Sequence, residues 1–160
     1  MEIRHATLAD LPAVTAVESA CFPAAEAATE ASFRARIVVY PSHFWLLYDG
    51  GKLVSFANGM VTDEADLTDE MYENAAMHRE NGDWQMIFGV NTIPEYRRQG
   101  LAEKVLKQVI LDARSQGRRG LVLTCKEALV HYYAKLGFVD EGISQSTHGG
   151  AEWHKMRLTF

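Results

Sequence analysis

The 160-residue sequence predicts an α/β fold, more strictly α+β, with a mixed central sheet flanked by helices in the order βααββ, loop, βαβαββ. Three observations lead there. The hydrophobic period changes from helical to alternating near residue 43. Two β-rich runs, "HFWLLYD" and "KLVSFANGMV", are separated by Gly50-Gly51, a hairpin signal. Further on, Leu101, Val105 and Val109, with Ala102, Leu106, Ile110 and Ala113, form an i, i+4 stripe that suits a helix lying on a sheet. No repeat, low-complexity tract or linker divides the chain, so residues 1–160 read as one domain.

Each element has its own local reason. "EIRHA" alternates like a short strand, and Asp10 is placed to cap a helix carrying Pro12 in its first turn and Val14 and Val17 on one face. A second helix is opened by Thr29 and stopped before Pro41. After the hairpin, residues 62–83 are polar, acidic and turn-rich with room for one short helix, a length that marks a functional loop. "WQMIFGVNTI" reads as a central strand ended by Pro94. The striped helix follows, bracketed at its end by Gly117 and Gly120. Then come strand "LVLTC", an amphipathic helix "EALVHYYAKL", and two closing strands around Gly149-Gly150.

Composition removes several functional classes. A net charge of −5 argues against nucleic-acid binding through a broad basic surface. Cys21 and Cys125 fit no CxxC or Cys/His metal spacing, and none of the six histidines falls in a pattern such as HExxH, so no metal is predicted. Cys125 alternates with Leu121 and Leu123 and is read as core. The opening residues lack the pattern of a signal peptide, and no apolar run is long enough to span a bilayer. A cytoplasmic location with no membrane partner follows by elimination.

Against that acidic background, Arg97-Arg98-Gln99-Gly100-Leu101-Ala102 places two cations and a Cβ-free residue at the entrance of the longest helix. The first N–H groups of a helix lack intrahelical partners, and with the helix dipole they form an anion site. Gly100 allows a close approach to the backbone, and the arginines add charge-assisted hydrogen bonds. Neither GxxxxGK[ST] nor GxGxxG is present. Taken alone, the stretch also fits a solvated helix start.

Its surroundings decide. "EIRHATLADLPAV", "VNTIPEYRRQGLAEKVL" and "HYYAKLGF", in that order along the chain, resemble the GNAT superfamily of acyl-CoA-dependent N-acyltransferases. "LTCKEALVHYYAKLGF" and "DLTDEMYENAAMH" are similar to its arylalkylamine (serotonin-type) N-acetyltransferase branch. The resemblance implies a GNAT fold, acetyl-CoA as co-substrate and a small-molecule amine as acceptor, with a homodimer left open. It places the CoA pyrophosphate on residues Arg97, Arg98, Gln99, Gly100, Leu101, Ala102 and Glu103. It also places Val90, Asn91 and Thr92 at a splayed strand end, where free backbone groups pair with pantetheine as an added strand would. By spacing alone Tyr132 and Tyr133 also fit tyrosines packed with their hydroxyls at the rim. The pattern Y-x-x-x-G-F, Tyr133 through Phe138, implies through the resemblance that Tyr133 lies near the CoA sulfur and protonates the departing thiolate.

The general base is the difficulty. A primary amine is protonated at neutral pH and must lose a proton before attack. Where the vertebrate members of the branch carry two histidines, this chain has Met86 and Phe88, which cannot accept one. Glu26, in the segment after Phe22-Pro23 that lines the acceptor site in this fold, is the replacement candidate; His78 and Asp83 are others, His78 reading mainly as a solvated loop residue. Phe22, Met86 and Phe88 are candidate acceptor walls, the last two reading equally well as core. The expected activity is acetyl transfer to a small aromatic or alkyl amine by direct attack in a ternary complex. Alternatives are a protein, peptide or antibiotic amine acetyltransferase, and a non-catalytic acyl-CoA-binding module.

Overall fold

A computed structural model describes residues 1–160. The elements are β1 (Glu2–Arg4), α1 (Leu11–Cys21), α2 (Glu30–Val39), β2 (Phe44–Asp49), β3 (Lys52–Asn58), β4 (Val61–Thr62), α3 (Asp69–Glu73), β5 (Trp84–Ile87), β6 (Gly89–Thr92), α4 (Leu101–Ser115), β7 (Gly120–Cys125), α5 (Val130–Ala134), β8 (Val139–Ile143) and β9 (His154–Thr159). This is the mixed α/β order read from the sequence, with two differences. The run 52–61, expected as one strand, is split into β3 and β4 on different sheets, and a second split matters more. The run expected as a single central strand is two strands broken at Phe88.

The break exists because the run serves two sheets. β5 pairs parallel with β7 in the sheet β4-β5-β7-β9-β8, and β6 pairs antiparallel with β3 in the sheet β1-β2-β3-β6. Past Ile87 and Leu123, the last paired residues, the two sheets diverge in a V. Backbone groups at the seam still need partners. The Gln85 side chain supplies them, its Nε2 donating to the carbonyls of Gly59, Met60 and Met86 at 2.9, 3.3 and 2.8 Å. Gly59 is required beside it, since a Cβ there would lie 1.8 Å from the Met86 oxygen.

Helices cover both faces of the first sheet. Phe33 of α2 packs edge-on against Phe44 and Phe56, with ring centroids about 6 Å apart. Strand side chains alternate, so Trp45 faces the other way, and its Nε1 donates to Asp112 of α4 at 2.8 Å. The predicted stripe of α4 is the buried face: Leu101, Val105, Leu106, Val109 and Ala113. Each of the larger ones contributes about 1.5–3 kcal/mol on burial.

Three local expectations are corrected. Asp10 sits at the start of α1, but its carboxylate turns away from that helix. It takes the Arg4 guanidinium at 2.6 and 2.9 Å, the Thr7 N–H at 2.8 Å and the Tyr48 hydroxyl at 2.7 Å. Burial alone would raise its pKa; those donors outweigh it and hold the pKa at about 2. The helix expected over 127–136 is a 3₁₀ turn followed by the short α5. His78 is not a solvated loop residue, its side chain being 6% exposed.

His78 belongs to a network, centred on the exposed Glu80, that fastens the acidic loop. Glu80 receives His43 Nε2 at 2.9 Å, His78 Nε2 at 3.0 Å and Arg118 Nη2 at 3.3 Å, while His43 Nδ1 meets Gln85 Oε1. The His43, His78 and Glu80 ligand atoms lie within 4.8 Å of one another, close enough to suggest a metal. The Val61 N–H, however, donates to His78 Nδ1 at 3.0 Å, so the ring's proton is on Nε2, aimed at Glu80. The cluster is therefore satisfied by protons.

Candidate active site

Two cavities open from the V. The smaller, about 320 Å³, lies over the start of α4; the larger, about 820 Å³, lies between β7 and the loops that follow α1 and β8. They meet at Cys21, Phe22, Val90, Leu129 and Tyr133, which line both.

The smaller cavity is built from backbone. Arg98 and Gly100 have φ of 63° and 74°, a left-handed turn that points successive amides the same way. The N–H groups of residues 98–103 make no backbone hydrogen bond, the first helical one in this region running from Lys104 to the Gly100 carbonyl. A Cβ at Gly100 would meet nothing within 4 Å, so the space over these amides is open. Six orphan donors beside two exposed arginines fit a diphosphate. Arg97 also reaches backward: its Nε donates to the Thr92 carbonyl at 3.1 Å and so braces the end of β6.

β6 presents one free edge. The bond from Ile93 N–H to the Val54 carbonyl fixes the phase of its ladder with β3. In an antiparallel pair alternate residues turn their N–H and C=O outward, which makes Val90 and Thr92 the outward pair. Thr92 C=O is taken by Cys21 Sγ and Arg97 Nε, whereas the Val90 groups face the junction of the cavities. Asn91 points the other way. It is 1% exposed, both its side-chain polar atoms lack partners, and it lies next to Glu18.

Tyr133 stands at the junction, 8% exposed and edge-on to Phe138. Burial, then the neighbouring Cys125 and Tyr132, raise its pKa, so the phenol keeps its proton. Phe22 and Phe88 line the larger cavity. Met86 does not: it is fully buried in the core and lines neither cavity.

The larger cavity is built from side chains, several of which sequence reading missed. Glu26 lies in its wall, but Oε2 is held by Lys126 Nζ at 2.9 Å. Tyr72, from α3, stacks on His148 with centroids 5.0 Å apart and planes 7° apart, and its hydroxyl reaches Thr124 Oγ1 at 3.3 Å. His148 Nε2 meets the Glu26 carbonyl at 2.8 Å. Asp69 ties the two loops by accepting from Ser146 Oγ and from the Thr147 N–H. Gly149 makes the approach possible: its φ is 62°, and a Cβ would lie 2.5 Å from Glu26 Cγ. Arg36 is buried between the Phe33 and Phe88 rings, bonded to Asn58 Oδ1 and the Tyr72 carbonyl, with Nε unpartnered. Glu18, also buried, has its carboxyl pKa raised by desolvation, although Oε2 accepts from the Ala28 N–H. Partners up to 122 residues apart leave no local signal in sequence.

Comparison with known proteins agrees with this architecture. Residues 11–138 match the Acetyltransferase (GNAT) family, and the chain belongs to it. It is 29% identical over 114 residues to serotonin N-acetyltransferase of Mesocricetus auratus, covering 71% of this chain and about half (54%) of that protein's length. Among solved structures it is similar to a GNAT-like decarboxylase, GphF, in complex with isobutyryl-CoA (TM-score 0.85, 21% identity, 99% of each chain). It is also similar to the ribosomal-protein-S18-alanine N-acetyltransferase of Escherichia coli (TM-score 0.72, 23% identity, 99% of this chain and 92% of the other). No helix is long and apolar enough to cross a membrane.

Proposed function

We propose that this protein transfers an acetyl group from acetyl-CoA to the nitrogen of a small primary amine, by direct attack in a ternary complex. One observation carries the reading: an anion-binding backbone turn and an acid-rimmed aromatic chamber meet at a protonated tyrosine. Residues 98–103 would hold the pyrophosphate, with Arg97 and Arg98 beside them, and the free Val90 groups would pair with the pantetheine arm. The thioester then lies at the junction. There the outward Val90 N–H polarises its carbonyl, and the Tyr133 hydroxyl donates its proton to the sulfur as the C–S bond breaks.

The chamber suits the acceptor. Asp69, Glu70 and Glu73 in its wall favour a cation, and Phe22, Tyr72, Phe88 and Trp153 supply apolar and aromatic surface. The test is turnover: with acetyl-CoA and a panel of arylalkylamines, polyamines and peptides, free thiol should be released with arylalkylamines. CoA binding without turnover on any amine would leave the protein an acyl-CoA-binding module.

Arg36 favours a second reading. The Arg36 guanidinium lies in the chamber wall, and a cation there matches a carboxylate on the acyl group itself. Cleavage of a 2-carboxyacyl-CoA would need no base to replace Met86 and Phe88: the C–C bond breaks, carbon dioxide leaves, and the thioester enolate takes a proton at carbon. One of the similar structures is named a decarboxylase. Carbon dioxide release from malonyl-CoA without an amine would favour this reading; its absence, with amine acetylation present, would remove it.

A further inference from the structure

Amine acetylation leaves a proton without a destination. Met86 is core and Phe88 is a hydrocarbon. Glu26 is committed to Lys126. Glu18 Oε1 is sealed from the cavity, and burial makes that carboxyl hold its own proton more tightly. The chamber wall holds one imidazole, that of His148.

Resting on the amine-acetylation reading, we infer that His148 is the general base of the reaction, acting through Nδ1. Its Nε2 is 2.8 Å from the Glu26 carbonyl oxygen. A carbonyl can only accept, so Nε2 carries the hydrogen, and in the neutral ring Nδ1 carries the lone pair. Nδ1 has no hydrogen-bond partner in the protein, while the ring lines the chamber.

The ring is held firmly in place. It stacks on Tyr72, lies 6.0 Å from the Trp153 ring, and its own carbonyl accepts from Trp153 Nε1 at 2.9 Å. Asp69 pins the two preceding residues. Through Tyr72 the ring is linked to Thr124 on β7, at the mouth of the V. Packing and hydrogen bonds thus select one tautomer and one orientation, the property that a general base requires. Nδ1 first takes one proton from the bound ammonium and releases it to solvent; the neutral amine nitrogen then forms a bond to the thioester carbonyl carbon as Nδ1 takes its second proton. The C–S bond breaks, the sulfur takes the proton of Tyr133, and the imidazolium and tyrosinate are reset by proton exchange with solvent. The net reaction is amine plus acetyl-CoA to amide plus CoA.

The acid limb of the rate profile should then follow this imidazole. The ionisable groups packed around it are the Glu26 carboxylate with Lys126, Asp69, Glu18, the Tyr72 phenol and Arg36 behind that phenol.

The experiment pairs a spectroscopic and a kinetic readout on the full chain. In a ¹⁵N-imidazole spectrum of the protein alone, His148 should show the Nε2–H tautomer with an unprotonated Nδ1. With acetyl-CoA and tryptamine or phenethylamine, H148Q keeps an N–H for the Glu26 carbonyl but removes the basic nitrogen. Its kcat should fall about hundredfold or more, with CoA affinity unchanged and the acid limb gone. Added imidazole should restore part of the rate in H148A. An Nδ1–H tautomer, or an H148Q kcat within threefold of wild type with the same pH profile, overturns the assignment and leaves amine acetylation standing. Wild-type protein that binds CoA but acetylates neither amine overturns the acetylation reading, and His148's role in it falls as well.

Discussion

The two cavities are made in opposite ways. The donor side is a stretch of backbone, residues 98–103, whose binding groups are adjacent in sequence and consist of amides. The acceptor side is a convergence of side chains from α1, α2, α3, β7 and the loop after β8, with partners such as Glu26 and His148 more than 100 residues apart. A backbone site tolerates many side chains provided the turn survives, whereas a convergent site changes with any one of its loops. The donor side is therefore fixed by conformation and the acceptor side by packing, and substitutions on the two sides should have separable effects.

Four substitutions sharpen or break this separation, given from the largest expected effect to the smallest. Tyr133→Phe acts where the cavities meet and should lower kcat about hundredfold with intact CoA affinity; an unchanged kcat sinks the acid role. Gly100→Leu forces a side chain into a left-handed turn and over the orphan amides. Isothermal titration should show CoA binding at least about tenfold weaker, beyond the roughly 1–2 kcal/mol of backbone strain read from thermal unfolding. Asp69→Asn removes the charge that ties the two acceptor loops and should raise the KM for the amine about fivefold, the scale of one weakened charged hydrogen bond. A parallel loss of CoA affinity in that variant would break the comparison.

Glu18→Gln should have the smallest effect, seen in stability. Burial raises the carboxyl pKa of Glu18 in the folded chain. Its contribution to stability is thus complete below the unfolded value, near 4.3, and is lost as pH rises through the higher folded value. Wild-type chemical-denaturation midpoints should drift down from pH 4 toward pH 8, and Glu18→Gln should flatten that drift by about 1 kcal/mol or less. Asp10, with its pKa of about 2, has the opposite sign: its contribution is lost as pH falls from about 4 toward 2.

The same division explains what the sequence discloses by itself. The α4 stripe, the Thr29 cap and the turn at Gly100 follow from neighbours within a few residues, and each is legible there. The break at Phe88 is not, because it depends on Gln85 and Gly59 satisfying a seam between sheets. His78 reads as a solvated loop residue because Tyr40 and His43, which cover it, lie more than 30 residues earlier. Glu26 stands out for its place after Phe22-Pro23, and nothing near it in the chain discloses Lys126. His148 carries no local signal, since its value lies in a carbonyl on a distant loop.

Gln85 has a consequence for the thermodynamics of CoA entry. Its amide meets the carbonyls of Gly59, Met60 and Met86 and so fastens the seam where residues 84–92 pass from one sheet to the other. Because β6 and β7 belong to different sheets, the proposed slot beside Val90 is set by the fold, and the pantetheine arm would enter it without prying strands apart. Association should draw its entropy penalty mainly from freezing the flexible arm itself. Its heat-capacity change should be that of a ligand settling on a standing ledge, free of the signature of chain ordering.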